Sequence, residues 1–103
     1  MADKSPATTV PAPTSSSLSA LVRDYAYYKQ VFNGRSMPFA YLDLDLFDEN
    51  IRQIAARAGG KRIRLASKSL RSVAALRRIL AANDCFQGIM SFTAREAVYL
   101  AVQ

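Results

Sequence analysis

The chain has 103 residues, with 14 Lys or Arg, 8 Asp or Glu and no histidine, so its formal charge is +6. The missing imidazole excludes histidine triads, histidine-ligated zinc and histidine acid–base catalysis from this sequence. The length allows one small domain, far short of the roughly 250 residues of a complete (β/α)8 barrel, and no apolar run approaches the roughly 18 residues of a membrane span.

Residues 1–17 hold Pro6, Pro11, Pro13 and many hydroxyl residues with almost nothing to bury, and they read as a disordered leader without the apolar core of a secretory signal. A soluble cytoplasmic protein is the expectation. Over residues 18–34 the pattern changes: Leu18, Leu21, Val22, Tyr25, Tyr28 and Phe32 recur at helical spacing. Ser15, Ser16 and Ser17 are candidate N-caps, and Asn33-Gly34 is a stop. An amphipathic helix is expected there, with Tyr25, Tyr27 and Tyr28 as packing residues, two of which continue its apolar stripe.

Phe-Ala-Tyr-Leu-Asp-Leu-Asp at 39–45 reads as a short strand, after which Asp45 would cap a helix with Asp48 and Glu49 in its first turn. That helix carries Phe47, Ile51, Ile54, Ala55 and Ala58 on one face and stops at Gly59-Gly60. A second unit follows. Residues 62–68 read as a strand, and Val73, Leu76, Ile79 and Leu80 as the apolar face of a helix capped by Ser69 or Ser72. Cys85, the one cysteine, has no disulfide partner and no histidine to activate it, and reads as a small packing residue near a helix end.

A third unit begins with a strand at 86–92 and turns into a helix at Thr93-Ala94-Arg95-Glu96, a capping box. Strands alternating with helices argue for βαβ units and a parallel sheet, an α/β fold class. So few strands would leave an open sheet edge and uncovered apolar faces, so the chain is expected to be the N-terminal piece of a larger α/β domain.

Along the second strand Ile63 and Leu65 fall on one face, with Arg64, Ala66 and Lys68 on the other. A parallel sheet is covered on both faces, so a cationic face is costly unless it lines a functional interior. Lys68 also ends its strand just before a helix, where α/β folds place ligands and catalytic groups. A lysine buried there beside Arg64 would be favoured as a neutral nucleophile able to form a Schiff base with a carbonyl compound. The alternative is that Arg64 and Lys68 lie on an exposed edge and carry solubilising charge.

Three features go further. They are the Leu-Asp-Leu-Asp run leading into a helix with Asn50-Ile51, the Arg-Leu-Ala-Ser-Lys-Ser-Leu-Arg run at 64–71, and Gly88-Ile89-Met90 before Glu96-Ala97. On these, residues 38–100 resemble the N-terminal part of the fold-type III pyridoxal-phosphate enzymes, the superfamily of alanine racemase, D-threonine aldolase and D-serine dehydratase. They are most similar to the aldolase/deaminase branch. Its members carry Arg-Pro-His-x-Lys-Thr-His-Lys, whose first lysine holds the cofactor as an internal aldimine. Lys68 takes that position, Arg64 the arginine, Ser69 the threonine and Arg71 the second lysine. Leu65, Ala66 and Leu70 depart from the Pro, His and His.

The resemblance implies that residues 38–103 are the first βα units of an incomplete TIM-type barrel binding pyridoxal 5'-phosphate. It implies a lyase or racemase of D-amino acid metabolism, with Lys68 catalytic and an amino acid as substrate. It also implies a homodimer, and any divalent metal would be bound outside this segment. Arg64, Ser69 and Ser72 are the cofactor-binding candidates beside Lys68. Ser67, Ser69 and Ser72 could orient the lysine or the cofactor, although Ser69 and Ser72 equally suit helix capping. This segment alone is expected to be inactive.

Two readings of other classes compete. Positions 50–83 hold nine cations, from Arg52 to Arg78, and no acidic residue, which could neutralise phosphates. They sit on two helices and a strand with no aromatic interleaved for base stacking, so solvated helix faces are favoured and no nucleic-acid partner is expected. The third reading is an adaptor docking through the tyrosines of residues 18–34.

Overall fold

In the computed structural model, which describes Thr9 and residues 22–103, the first helix is α1 (Tyr25–Val31). It starts where Asp24, in extended backbone, accepts a hydrogen bond from the Tyr27 amide at 3.0 Å. An aspartate in that geometry satisfies one of the free amides of the first turn, so the helix is shorter than residues 18–34. Leu18, Leu21, the three candidate serine caps and the proposed leader, apart from Thr9, lie outside the described residues. The chain turns at Gly34, whose φ of +81° suits glycine. No residue of α1 is buried, and Tyr25 is 79% exposed, so the expectation that Tyr25 packs is corrected. Tyr27 and Tyr28 are half-buried and meet edge to face at 5.1 Å, and Phe32 packs on Phe39 at 4.9 Å.

By contacts the chain divides into two units, one ending at Ala40 and the other spanning Tyr41–Gln103. The second holds α2 (Leu44–Arg57), β1 (Ile63–Ala66), α3 (Val73–Ala82), β2 (Phe86–Met90) and α4 (Ala94–Ala101). Residues 39–45 do not form the expected strand. Asp43, not Asp45, is the N-cap of α2: its carboxylate accepts from the Leu46 amide at 3.3 Å, and its carbonyl from Phe47 at 2.9 Å. These local bonds take the backbone groups that a sheet ladder would need. α2 ends as expected, with Gly59 and Gly60 at φ +59° and +81°.

β1 and β2 pair in parallel as the described two-stranded sheet, with Ile63 opposite Phe86, Leu65 opposite Ile89 and Ala66 opposite Met90. β2 therefore carries one extra residue between its first two pairings, at Gln87-Gly88, and Gly88 has φ +81°. α3 crosses between the strands. Ser72 caps it by accepting from the Ala75 amide at 3.2 Å, which decides between the two serines.

One side of the sheet is covered. Ile51 of α2, Ile79 of α3 and Phe86 of β2 form the buried cluster, with Phe47, Ala55, Ile63, Leu65, Leu70, Leu80 and Cys85 packed against it. Thr93 caps α4 by accepting from the Glu96 amide at 3.1 Å. The Glu96 carboxylate lies 3.7 Å from the Arg71 guanidinium, and no return bond to the Thr93 amide forms among the described residues. The class is mixed α/β. No helix among the described residues is long and apolar enough to cross a membrane.

Candidate functional site

β1 ends at Ala66, and residues 67–69 form the turn that follows. Ser67 is 2% exposed, the only buried polar side chain among the described residues. Its hydroxyl donates to the Met90 carbonyl at 3.3 Å, and its amide donates to the same oxygen at 3.2 Å. The Ser69 amide closes the turn on the Ala66 carbonyl at 3.0 Å. Leu70 then returns to the core cluster. The turn is thus held at both ends, and Lys68 and Ser69 are its exposed part.

Arg64 lies within β1 on the face opposite Ile63 and Leu65, and it is exposed. The expected burial of Lys68 beside Arg64 is therefore corrected. Only one side of the sheet is covered by the buried cluster, and Arg64 is on the other side. Lys68 stands in the turn beyond the strand, not in its alternation. Ser72, half-buried, spends its acceptor on the cap of α3. No hydrogen bond or ion pair links Arg64, Lys68, Ser69 and Ser72 to one another among the described residues. Among the described residues no three His, Cys, Asp or Glu side chains cluster together.

The cationic stretch is partly neutralised. Arg78 of α3 reaches Asp48 of α2 through two hydrogen bonds of 2.6 Å, Arg52 clasps Glu49, and Arg71 faces Glu96. The Arg78 hydrogen bond holds Asp48 below the usual carboxylate range. Hydrogen bonds from Arg52, then Gln53, lower the Glu49 carboxyl to about 2 from 4.5. The folded chain therefore holds these carboxylates ionised more firmly than the unfolded chain does. Their stabilisation is complete above the ordinary carboxylate range and is lost as pH falls from there towards about 2. Both are solvent-exposed pairs, so the effect is small and screened by salt. We expect Glu49→Gln to flatten the acid limb of a stability–pH curve. An unchanged limb in low salt would contradict that contribution.

Beside the Arg78–Asp48 pair, α2 and α3 leave an open groove of about 630 Å³, floored by Ile51, Ala55, Ala56, Ala81 and Ala82. None of the four sequence-chosen residues lines it. Sequence reasoning named Ser67 only as one of three nearby hydroxyls. Its burial follows from the pairing of β1 with β2, which joins residues 23 apart. No protein-family model matches the chain, and neither a curated protein nor a solved structure is found to be similar to it.

Proposed function

We propose that the chain carries the lysine-bearing βα unit of a pyridoxal-phosphate-dependent amino acid lyase or racemase, with Lys68 as the residue that holds the cofactor. The observation that supports this most is the position of Lys68, exposed in a pinned turn at the carboxyl end of a parallel strand and just ahead of α3. Open α/β sheets and barrels bind ligands at this end of their strands. The residues fit the group in part. Lys68 offers an accessible amine, the Ser69 hydroxyl is exposed beside it, and Arg64 gives the outer sheet face a cation.

When bound, the cofactor supplies an aldehyde for the lysine and a ring that delocalises the electrons left when a bond to the substrate Cα breaks. The chain's own part would be to present the Lys68 amine, with the Ser69 hydroxyl next to it in the turn and Arg64 as a cation on the outer face of β1. Ser72 contributes by setting the start of α3. Groups for the phosphate and the ring nitrogen belong, on this reading, to further βα units of a TIM-type barrel. Those units would also cover the outer face of β1 and β2. The protein would work as a homodimer in the cytoplasm.

The test is reductive trapping. The protein is mixed with pyridoxal phosphate, treated with borohydride and digested, and the pyridoxyl label is located by mass spectrometry. Lys68 should take the label ahead of Lys4, Lys29 and Lys61, the only other lysines. Lys68→Ala should abolish that preferred site. Labelling spread evenly over the four, or preferred labelling that survives in Lys68→Ala, refutes the assignment.

A further inference from the structure

The turn that carries Lys68 contains a buried hydroxyl whose cost demands an explanation. Burying a hydroxyl is unfavourable unless it is hydrogen-bonded, and alanine would fill nearly the same space without that cost. At Ser67 the hydroxyl is bonded, and its acceptor is informative. Oγ and the backbone amide both donate to the Met90 carbonyl, so the last residue of β2 receives two hydrogen bonds from the residue before Lys68. The amide bond extends the β1–β2 ladder by one step past the strand. The hydroxyl bond ties the side chain to the same point, fixing both the direction of the backbone and the rotamer at Ser67. Lys68 follows in the same turn and is exposed, so the buried, bonded Ser67 is the fixed point next to it.

We propose that Ser67 is the positioning residue for Lys68, clamping the turn to the end of β2 so that the lysine amine is delivered in one direction. The proposal rests on the pyridoxal-phosphate reading and deepens it. A lysine amine rides on a flexible four-carbon stem, and ordering the backbone beneath it is the part of its freedom that the fold can remove in advance. Ser69, whose amide bonds back to Ala66, closes the turn but leaves its orientation on the sheet to Ser67.

Trapping rates at Lys68 relative to Lys61 test this, because Lys61 is an exposed lysine ahead of β1 and serves as an internal reference. In the wild type Lys68 should label faster than Lys61. Ser67→Ala should lower that ratio roughly fivefold, the effect of one net hydrogen bond, with an unchanged circular dichroism spectrum. The fluorescence anisotropy of the reduced pyridoxyl group at Lys68 should fall as well. Ser67→Cys keeps the site filled, with a somewhat larger side chain, while replacing a strong donor by a weak one, and carries the comparison if alanine unfolds the unit. It should behave like alanine. A ratio unchanged in Ser67→Ala, or restored by Ser67→Cys, overturns the proposal, because space filling would then be all that Ser67 supplies. A wild type that labels Lys68 no faster than Lys61 is a different result: it removes the pyridoxal-phosphate reading and this inference with it.

Discussion

Replacing Phe86 with alanine is expected to remove most of the folding stability of residues 41–103. Phe86 is 6% exposed, opens β2 opposite Ile63, and is one of three residues in the buried cluster. Truncating a buried phenylalanine typically costs about 3–5 kcal/mol, from lost transfer energy and the cavity left behind. A unit of this size is stabilised by only a few kcal/mol in total, so the variant should be largely unfolded at room temperature. Urea unfolding followed by circular dichroism gives the comparison. A loss below about 1 kcal/mol would mean that the sheet and helices do not share this core.

Ile79 is the matching residue on α3, 8% exposed, and two substitutions there separate cavity from charge. Ile79→Ala should cost about 2–4 kcal/mol. Ile79→Asp removes the same apolar volume and adds a carboxylate with no cation beside it in the cluster, so it should cost more at neutral pH. Its pH dependence should also reverse the usual acid behaviour. Burial raises the carboxyl above its unfolded value, so the neutral form is tolerated and the aspartate variant is most stable at low pH. That stability is lost as pH rises from the ordinary carboxylate range towards the raised value. An aspartate variant as stable as the alanine variant at every pH would show that position 79 is solvated.

Much of this arrangement could be read from residue order. Gly59-Gly60, Ser72 and Thr93 mark element ends through chemistry that acts over a few residues, and each behaves as its type suggests. The alternation of apolar residues in β1 and the helical spacing in α3 likewise report the face each buries. Residues 39–45 misled because their alternation suits a strand, whereas Asp43 forms a cap that a periodicity argument does not weigh. Asp45 fits the same capping rule two residues later, and only the geometry of the turn chooses between them. The Arg78–Asp48 bonds join residues 30 apart, so they depend on how α2 lies on α3. The same holds at the candidate site. Lys68 could be found from its place after a strand, but its exposure and the anchoring of Ser67 on Met90 depend on which strand lies beside β1 and on what covers the sheet.

The extra residue in β2 changes what an insertion or deletion means there. Adding or removing one residue in a strand ordinarily inverts every side chain beyond it, exchanging core for solvent. In β2 Phe86 and Ile89 are separated by Gln87-Gly88, yet both sit opposite residues of β1 that face the core, Ile63 and Leu65. Without Gly88 the strand would read Phe-Gln-Ile-Met, a strict alternation with each of these side chains still on its present side. Gly88 thus gives the strand a spare position, one place where the chain can change length while the inside and the outside of the sheet keep their residues.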